Sequence, residues 1–184
     1  FAQIFIDMKG VDHLSQAKST LFSFEILPPL KGKGIQSIYD GIDPLMEFKP
    51  KYVNVTYHRE EYIYKDKGNG LLEKVSIRKR PGTVGICAAI MNKYHIDAVP
   101  HLICGGFTKE ETENALIDLQ FLGVDNVLAL RGDPVKTEAS FTPKEGGSAY
   151  AVDLVKQLME LNKGQYMMDD VSLEPTDFCI GVAG

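Results

Sequence analysis

Short apolar runs recur along the chain and are separated by longer segments with helical spacing. Each run is rich in β-branched, aromatic or leucine side chains and stops at a polar residue, glycine or proline. Runs of this length and composition predict buried strands. The five predicted strands cover residues 21–26, 52–56, 97–102, 126–130 and 178–183.

The segments between these strands have the spacing of amphipathic helices. Residues 35–46 carry apolar side chains every three or four positions, and Pro50 ends that helix. Another helix opens at Thr108 with a capping box to Glu111 and stops at Gly123. A later helix is predicted from Ser148 onwards.

Two regions interrupt this alternation. Residues 60–70 are polar and rich in glycine and lysine, which predicts a mobile loop, and residues 71–79 and 83–94 are predicted as helices. Residues 134–147 form a second long loop, of a length that favours a functional role.

Alternating strands and helices predict an α/β fold with a parallel sheet and right-handed crossovers. Repeats of this size fit a TIM (β/α)8 barrel, of which only about five β/α units are present, and they also fit a five-stranded doubly wound sheet. Composition and periodicity leave both open.

Composition narrows the class of protein. The chain has 184 residues, 44% of them hydrophobic, and a formal charge of −5, from 20 Lys and Arg against 25 Asp and Glu. This acidic balance argues against a nucleic-acid partner. No apolar run is long enough to span a membrane, no signal peptide is recognisable, and the three cysteines lack the spacing of a zinc site or a disulfide framework. We therefore expect a cytoplasmic protein with no bound metal.

Two carboxylates close predicted strands, and in a parallel barrel that end of the sheet carries the active site. Glu25 lies between Phe24 and Ile26, and these apolar neighbours should destabilise its ionised form, as a general acid requires. Asp133 follows Arg131 and Gly132 in a turn, where it is a candidate for a fixed negative charge. The structural alternatives are a loop-capping carboxylate at Glu25 and a turn aspartate at Asp133.

Further polar residues end two other strands. His101 lies on the third strand, and Thr56 and Tyr57 close the second. A lone strand histidine is more often a core residue, and a tyrosine at a strand end usually packs. Four strands ending in polar groups of different kinds favour an enzyme, but spacing alone does not name the reaction.

At these positions the chain resembles methylenetetrahydrofolate reductases. Six segments carry the resemblance, in family order and across nearly the whole chain. They are Phe22-Ser23-Phe24-Glu25 with Pro28-Pro29, Lys49-Pro50-Lys51-Tyr52-Val53 with Val55-Thr56-Tyr57, Pro100-His101-Leu102, Leu130-Arg131-Gly132-Asp133-Pro134, Tyr150-Ala151-Val152-Asp153-Leu154-Val155, and Phe178-Cys179-Ile180-Gly181-Val182-Ala183-Gly184.

The resemblance implies a TIM (β/α)8 barrel that holds FAD noncovalently and uses NAD(P)H to reduce 5,10-methylenetetrahydrofolate to 5-methyltetrahydrofolate, in one-carbon metabolism and methionine biosynthesis. It places Glu25 at the proton donor and Asp133 at the carboxylate near the flavin and pterin. It also implies a homo-oligomer. The implied cofactor-binding residues are Thr56, Tyr57, His101, Arg131, Gly132, Asp133, Tyr150 and Ala151.

Two departures qualify the resemblance. The segment after Tyr57 differs from the family's small-residue loop, so the resemblance does not carry a flavin contact over to Arg59. The family also continues beyond residue 184, so we expect residues 1–184 to form one incomplete catalytic barrel domain that is inactive alone. The remaining alternatives are a metal-dependent lyase on the same fold and a non-catalytic fragment or binding module.

Overall fold

A single parallel sheet forms the centre of the molecule. The computed structural model describes residues 8–135, 138–167 and 173–183. The sheet contains β1 (Phe24–Ile26), β2 (Tyr52–Val55), β5 (Asp97–Ile103), β6 (Asn126–Leu130) and β7 (Cys179–Val182), in the order β1-β2-β5-β6-β7. All four neighbouring pairs are parallel. The five strands expected from the apolar runs and their parallel pairing are thus confirmed.

The strand order separates the two sheet architectures that the sequence left open. The five strands lie side by side in chain order. A doubly wound sheet reverses its order at a switch point, whereas a barrel adds each strand beside the previous one. No reversal occurs among these five strands, so the doubly wound alternative is wrong for this part of the chain.

The helices follow the strands as the periodicity predicted. They are α2 (Gln36–Ile42), α3 (Thr83–Tyr94), α4 (Lys109–Phe121) and α5 (Ala151–Leu161), and a further helix, α1 (Gly10–Gln16), precedes β1. The helix predicted at residues 35–46 is an α-helix only as far as Ile42, and a 3₁₀ helix (Asp43–Phe48) continues it. Pro44 has no amide hydrogen to donate to the preceding turn, which favours this change.

The region between β2 and α3 differs from its prediction. Instead of a loop over residues 60–70 and a helix over 71–79, β3 (Glu61–Asp66) and β4 (Leu72–Ile77) form an antiparallel hairpin. The turn contains three consecutive residues with positive φ, Gly68, Asn69 and Gly70. The apolar spacing of residues 71–79 fits a helix locally, but pairing with β3 decides the conformation. The helix at residues 83–94 is confirmed.

The core lies between the sheet and the helices. Alternate strand residues, among them Val55, Ala98 and Val127, are buried against leucines of α4 and α5. Because strand side chains alternate, the residues between them lie on the other surface of the sheet. That second surface carries Glu25 and His101.

The N-terminal ends of the strands are closed by α1, which the sequence did not predict. The side chain of Asn126, at the start of β6, accepts a hydrogen bond from the Gly10 amide at 2.6 Å and donates one to the Met8 carbonyl at 3.0 Å. His13 Nε2 lies 2.5 Å from an Asp97 carboxylate oxygen at the start of β5. These contacts lie at the N-terminal ends of the strands, and the candidate site lies at the opposite, C-terminal ends.

Replacing Thr108 with Ala should lower the free energy of unfolding by about 1 kcal/mol. The Thr108 hydroxyl accepts from the Glu111 amide at 3.1 Å, and the Glu111 carboxylate accepts from the Thr108 amide at 2.7 Å. Urea denaturation measures the change. Asn114→Ala, at an exposed position inside α4, is the matched control and should be neutral or slightly stabilising. Equal destabilisation by both would contradict the capping role.

Candidate active site

Glu25 and His101 are brought together from two strands that are 70 residues apart in sequence. Glu25 is the middle residue of β1, and its side chain is 63% exposed, whereas that of His101 on β5 is 7% exposed. His101 Nε2 lies 3.8 Å from a Glu25 carboxylate oxygen. This is too long for a hydrogen bond but close enough for electrostatic coupling.

Burial determines the protonation state of His101. It lowers the pKa of the imidazole below its usual value, and the opposing effect of the Glu25 charge is smaller. His101 is therefore neutral at neutral pH. Its Nε2 atom is buried and has no hydrogen-bond partner among the described residues. The apolar surroundings expected for Glu25 are wrong, because its carboxylate is exposed and has this imidazole beside it.

Thr56 and Tyr57 follow β2 at the same edge. The amide and the hydroxyl of Thr56 both donate to the Ile26 carbonyl, at 3.1 and 3.2 Å, and so hold the end of β1 against the end of β2. The Tyr57 ring packs on Phe107, with ring centres 4.9 Å apart. Burial raises the pKa of the Tyr57 hydroxyl, which therefore stays protonated.

The turn after β6 needs glycine at position 132. Gly132 has φ +80°, and a Cβ added there would lie 3.3 Å from Ile103. The Arg131 guanidinium lies 5.4 Å from the ring centre of Phe141. Asp133 is exposed. The strand order places β6 three strands from β1, about 14 Å along a sheet, so Asp133 and Glu25 share one edge without a described contact.

Tyr150 and Ala151 lie at the start of α5. The Tyr150 amide donates to the Asp153 carboxylate at 3.2 Å, and the Tyr150 side chain is exposed. No contact among the described residues joins Tyr150 to Glu25 or His101. The structure therefore places these two residues at a helix N-terminus, and their cofactor role stays a prediction.

Arg59 is the main residue that the sequence analysis missed. It forms an ion pair with Glu138, which joins the segment after β2 to the loop after β6. Its side chain lies against Gly105 and Gly106, where an added Cβ would come within 3.2 and 3.0 Å of Arg59 atoms. The Gly105-Gly106 pair, one residue after the end of β5, was the available signal. In the predicted loop 134–147, residues 136 and 137 lie outside the described part of the chain.

A cavity of about 550 Å³ opens beside this edge, between the hairpin, the start of α4 and residues 138–145. Tyr57 and His101 line it, and Glu25 and Asp133 do not. The predicted site residues are thus divided between the edge and this cavity. In residues 8–135, 138–167 and 173–183, no three His, Cys, Asp or Glu side chains are grouped to hold a metal ion. None of the described helices is long and apolar enough to cross a membrane.

The fold and the site define an α/β protein whose polar groups gather at the C-terminal edge of a parallel sheet. The chain belongs to the methylenetetrahydrofolate reductase family, whose model matches residues 10–184. It is 30% identical over 182 residues to methylenetetrahydrofolate reductase 2 of Saccharomyces cerevisiae, covering 96% of the chain and 26% of that protein. The family resemblance seen in the sequence is confirmed.

Two further relatives belong to the same family. The chain is 32% identical over 173 residues to methylenetetrahydrofolate reductase 1 of Schizosaccharomyces pombe, covering 94% of the chain and 24% of that protein. It is 31% identical over 140 residues to 5,10-methylenetetrahydrofolate reductase of Escherichia coli, covering 76% of the chain and 40% of that protein. The chain therefore spans well under half the length of these relatives.

Proposed function

We propose that the full-length protein containing this chain reduces 5,10-methylenetetrahydrofolate to 5-methyltetrahydrofolate, with FAD as cofactor and NAD(P)H as reductant. Family membership supports the reaction. The observation that carries the proposal is the exposed Glu25 carboxylate 3.8 Å from the buried Nε2 of His101, at the sheet edge where parallel α/β enzymes place their active sites.

Glu25 is proposed as the proton donor. Opening the five-membered ring of the folate needs a proton on the departing nitrogen, and Glu25 is exposed at the edge where a substrate enters. His101 is neutral because it is buried, so it carries no positive charge that would hold Glu25 in its ionised form. In this proposal Glu25 donates the proton, and the imidazole of His101 stays neutral beside it.

Asp133 is proposed as the fixed negative charge. It is exposed after β6, and the Gly132 turn directs the chain across Ile103. A carboxylate at this edge favours a cationic form of the folate over the neutral one, because opposite charges attract more strongly where water is excluded. Its distance from Glu25 along the sheet leaves room for a flat substrate between the two.

The residues at this edge fit an FAD group. His101 presents a buried nitrogen with no described partner, and Gly132, with φ +80°, lets the chain turn closely over Ile103 at the same edge. When bound, FAD accepts hydride from NAD(P)H and passes hydride to the folate. We propose that Thr56, Tyr57, His101, Arg131, Gly132, Asp133, Tyr150 and Ala151 bind it.

We also propose that the five strands are the first part of a TIM (β/α)8 barrel within one catalytic domain, in a cytoplasmic homo-oligomer. The sequential strand order supports the barrel. In the part of the chain that the structure describes, no strand pairs with the outer side of β1 or β7, and closure of a barrel joins such edges.

The test is made on the purified full-length protein. We expect the visible absorption of an oxidised flavin, loss of that absorption on anaerobic addition of NAD(P)H, and its return on addition of 5,10-methylenetetrahydrofolate. A protein that reduces the folate without any flavin spectrum would contradict the cofactor assignment. A flavin that is never reoxidised by the folate would contradict the reaction.

A further inference from the structure

Arg59 lies in the segment after β2 and is mostly buried, with 11% of its side chain exposed. Its ion-pair partner Glu138, in the loop after β6, has a side chain that is 27% exposed. An exposed ion pair contributes little to stability, whereas a charge that is largely buried needs its partner. The pair therefore fixes the loop after β6 to the segment after β2.

Two glycines after β5 make room for Arg59. A Cβ added to Gly105 would lie 3.2 Å from the Arg59 side chain and 3.3 Å from the Phe141 ring, and one added to Gly106 would lie 3.0 Å from Arg59. Both side chains thus pack directly on the glycine backbone, an approach that a larger residue would prevent. Arg59 is held by this backbone on one side and by Glu138 on the other.

Glu138 in turn fixes the backbone that follows Asp133. Its carboxylate accepts a hydrogen bond from the Val135 amide at 3.4 Å, and its own amide donates to the Val135 carbonyl at 2.8 Å. Val135 is two residues after Asp133. The ion pair with Arg59 therefore holds the C-terminal side of the turn formed by residues 131–135.

Phe141 holds the other side of the same turn. The Arg59 guanidinium lies 6.0 Å from the ring centre of Phe141, and the Arg131 guanidinium lies 5.4 Å from it. A guanidinium at about this distance is attracted to the face of an aromatic ring. Because Arg131 is two residues before Asp133, contacts that begin at Arg59 reach both ends of the turn.

Asp133 depends on this turn for its position. It is exposed, and among the described residues its carboxylate forms no hydrogen bond and no ion pair. The backbone on either side therefore decides where the charge lies. A fixed charge stabilises a cationic intermediate best when it is already in place before the reaction, and a small displacement is costly.

From these contacts we propose that Arg59 is a positioning residue for Asp133. Through Glu138 and Phe141 it holds the turn 131–135, so that the Asp133 carboxylate is preorganised for the cationic form of the folate. This inference rests on the role proposed above for Asp133. It gives a function to the segment after Tyr57, where the chain departs from the small-residue loop of the family.

Arg59→Ala in the full-length protein with its cofactor tests this role. We expect the maximal rate of flavin reoxidation by 5,10-methylenetetrahydrofolate to fall about tenfold, while the KM for the folate changes less than about twofold. The rate responds because Asp133 acts on an intermediate that forms after the folate has bound. The maximal rate of flavin reduction by NAD(P)H should stay within about twofold.

Lys67→Ala is the matched control. Lys67 forms an ion pair with Glu73 at the turn of the hairpin, where both side chains are about half exposed, so its loss should change neither half-reaction. Glu138→Ala breaks the ion pair of Arg59 from the other side and should cause the same loss as Arg59→Ala. This second variant guards against a local folding fault in the first.

The double variant with Asp133→Asn separates positioning from a general structural effect. If Arg59 acts through Asp133, both single substitutions remove the same stabilisation, so adding Arg59→Ala to Asp133→Asn should slow folate reduction by less than about twofold. A further tenfold loss in an active reductase would show that Arg59 acts independently of Asp133, and this inference alone would then be wrong.

Hydrogen exchange at the Val135 and Glu138 amides measures the turn without reference to activity. We expect both amides to exchange at least about tenfold faster in Arg59→Ala than in the parent protein, and at the parent rate in Lys67→Ala. Unchanged exchange in Arg59→Ala, or an equal rise in Lys67→Ala, would overturn the proposal. A parent protein that never reduces the folate would instead fail the proposed function.

Discussion

Replacing Glu25 with Gln is expected to slow folate reduction by about 10²–10⁴-fold while leaving reduction of the flavin by NAD(P)H nearly unchanged. Glutamine keeps the size and polarity of the side chain but has no proton to donate at neutral pH. Proton donation is needed only when the folate ring opens, so only the folate half-reaction should respond. Stopped-flow absorbance of the flavin follows the two half-reactions separately.

Glu160→Gln is the matched control for this experiment. Glu160 is a carboxylate near the end of α5 whose described ion pair is with Lys163, just beyond the helix, and its loss should leave both half-reactions unchanged. Equal losses in both half-reactions of Glu25→Gln would indicate a binding or folding fault, and the assignment of Glu25 as proton donor would then be wrong.

Replacing Gly147 with Ala is expected to destabilise the protein by about 3 kcal/mol, the upper end for an overpacked site. A Cβ at position 147 would lie 2.3 Å from the Phe107 carbonyl oxygen and 3.0 Å from the Lys144 carbonyl oxygen. Both are backbone atoms, which cannot rotate away as the end of a side chain can. The loop must therefore shift, and with it the segment that carries Glu138 and Phe141.

The midpoint of urea denaturation measures this change, and flavin retention during gel filtration reports its effect on the site. Gly85→Ala is the matched control, since Gly85 is exposed within α3 and an added Cβ meets no atom within 4 Å. Alanine has the higher helix propensity, so this control should stabilise by about 0.5–1 kcal/mol. An unchanged midpoint for Gly147→Ala would contradict the close packing described for the loop.

Much of the fold depends on interactions between residues that are close together in the sequence, and such interactions can be predicted from the sequence. The run at residues 126–130 is a strand because the four side chains after Asn126 are apolar on both surfaces of the sheet, and the structure gives the same limits. The helix at Lys109–Phe121 begins where the Thr108 capping box predicts, because capping depends only on residues three apart.

The hairpin of β3 and β4 could not be predicted from interactions between neighbouring residues. Residues 72–77 are a strand because Glu61–Asp66 pairs with them, and the apolar spacing of either segment alone does not report that pairing. The helix α1 was missed for a similar reason: it contains no buried residue and is held by Asn126 and Asp97, more than 80 positions away.

The amino-acid sequence by itself determined the five strands of the parallel sheet, their alternation with helices, the family, and the polar residues at or near the ends of these strands. The tertiary structure alone decided that Glu25 is exposed and next to a buried, neutral His101, that Arg59 joins two loops through Glu138, and that a hairpin lines the cavity beside the sheet edge. The reason is physical: propensity and hydrophobic period act between neighbours along the chain, whereas burial, charge pairing and cavity shape depend on residues brought together only by folding.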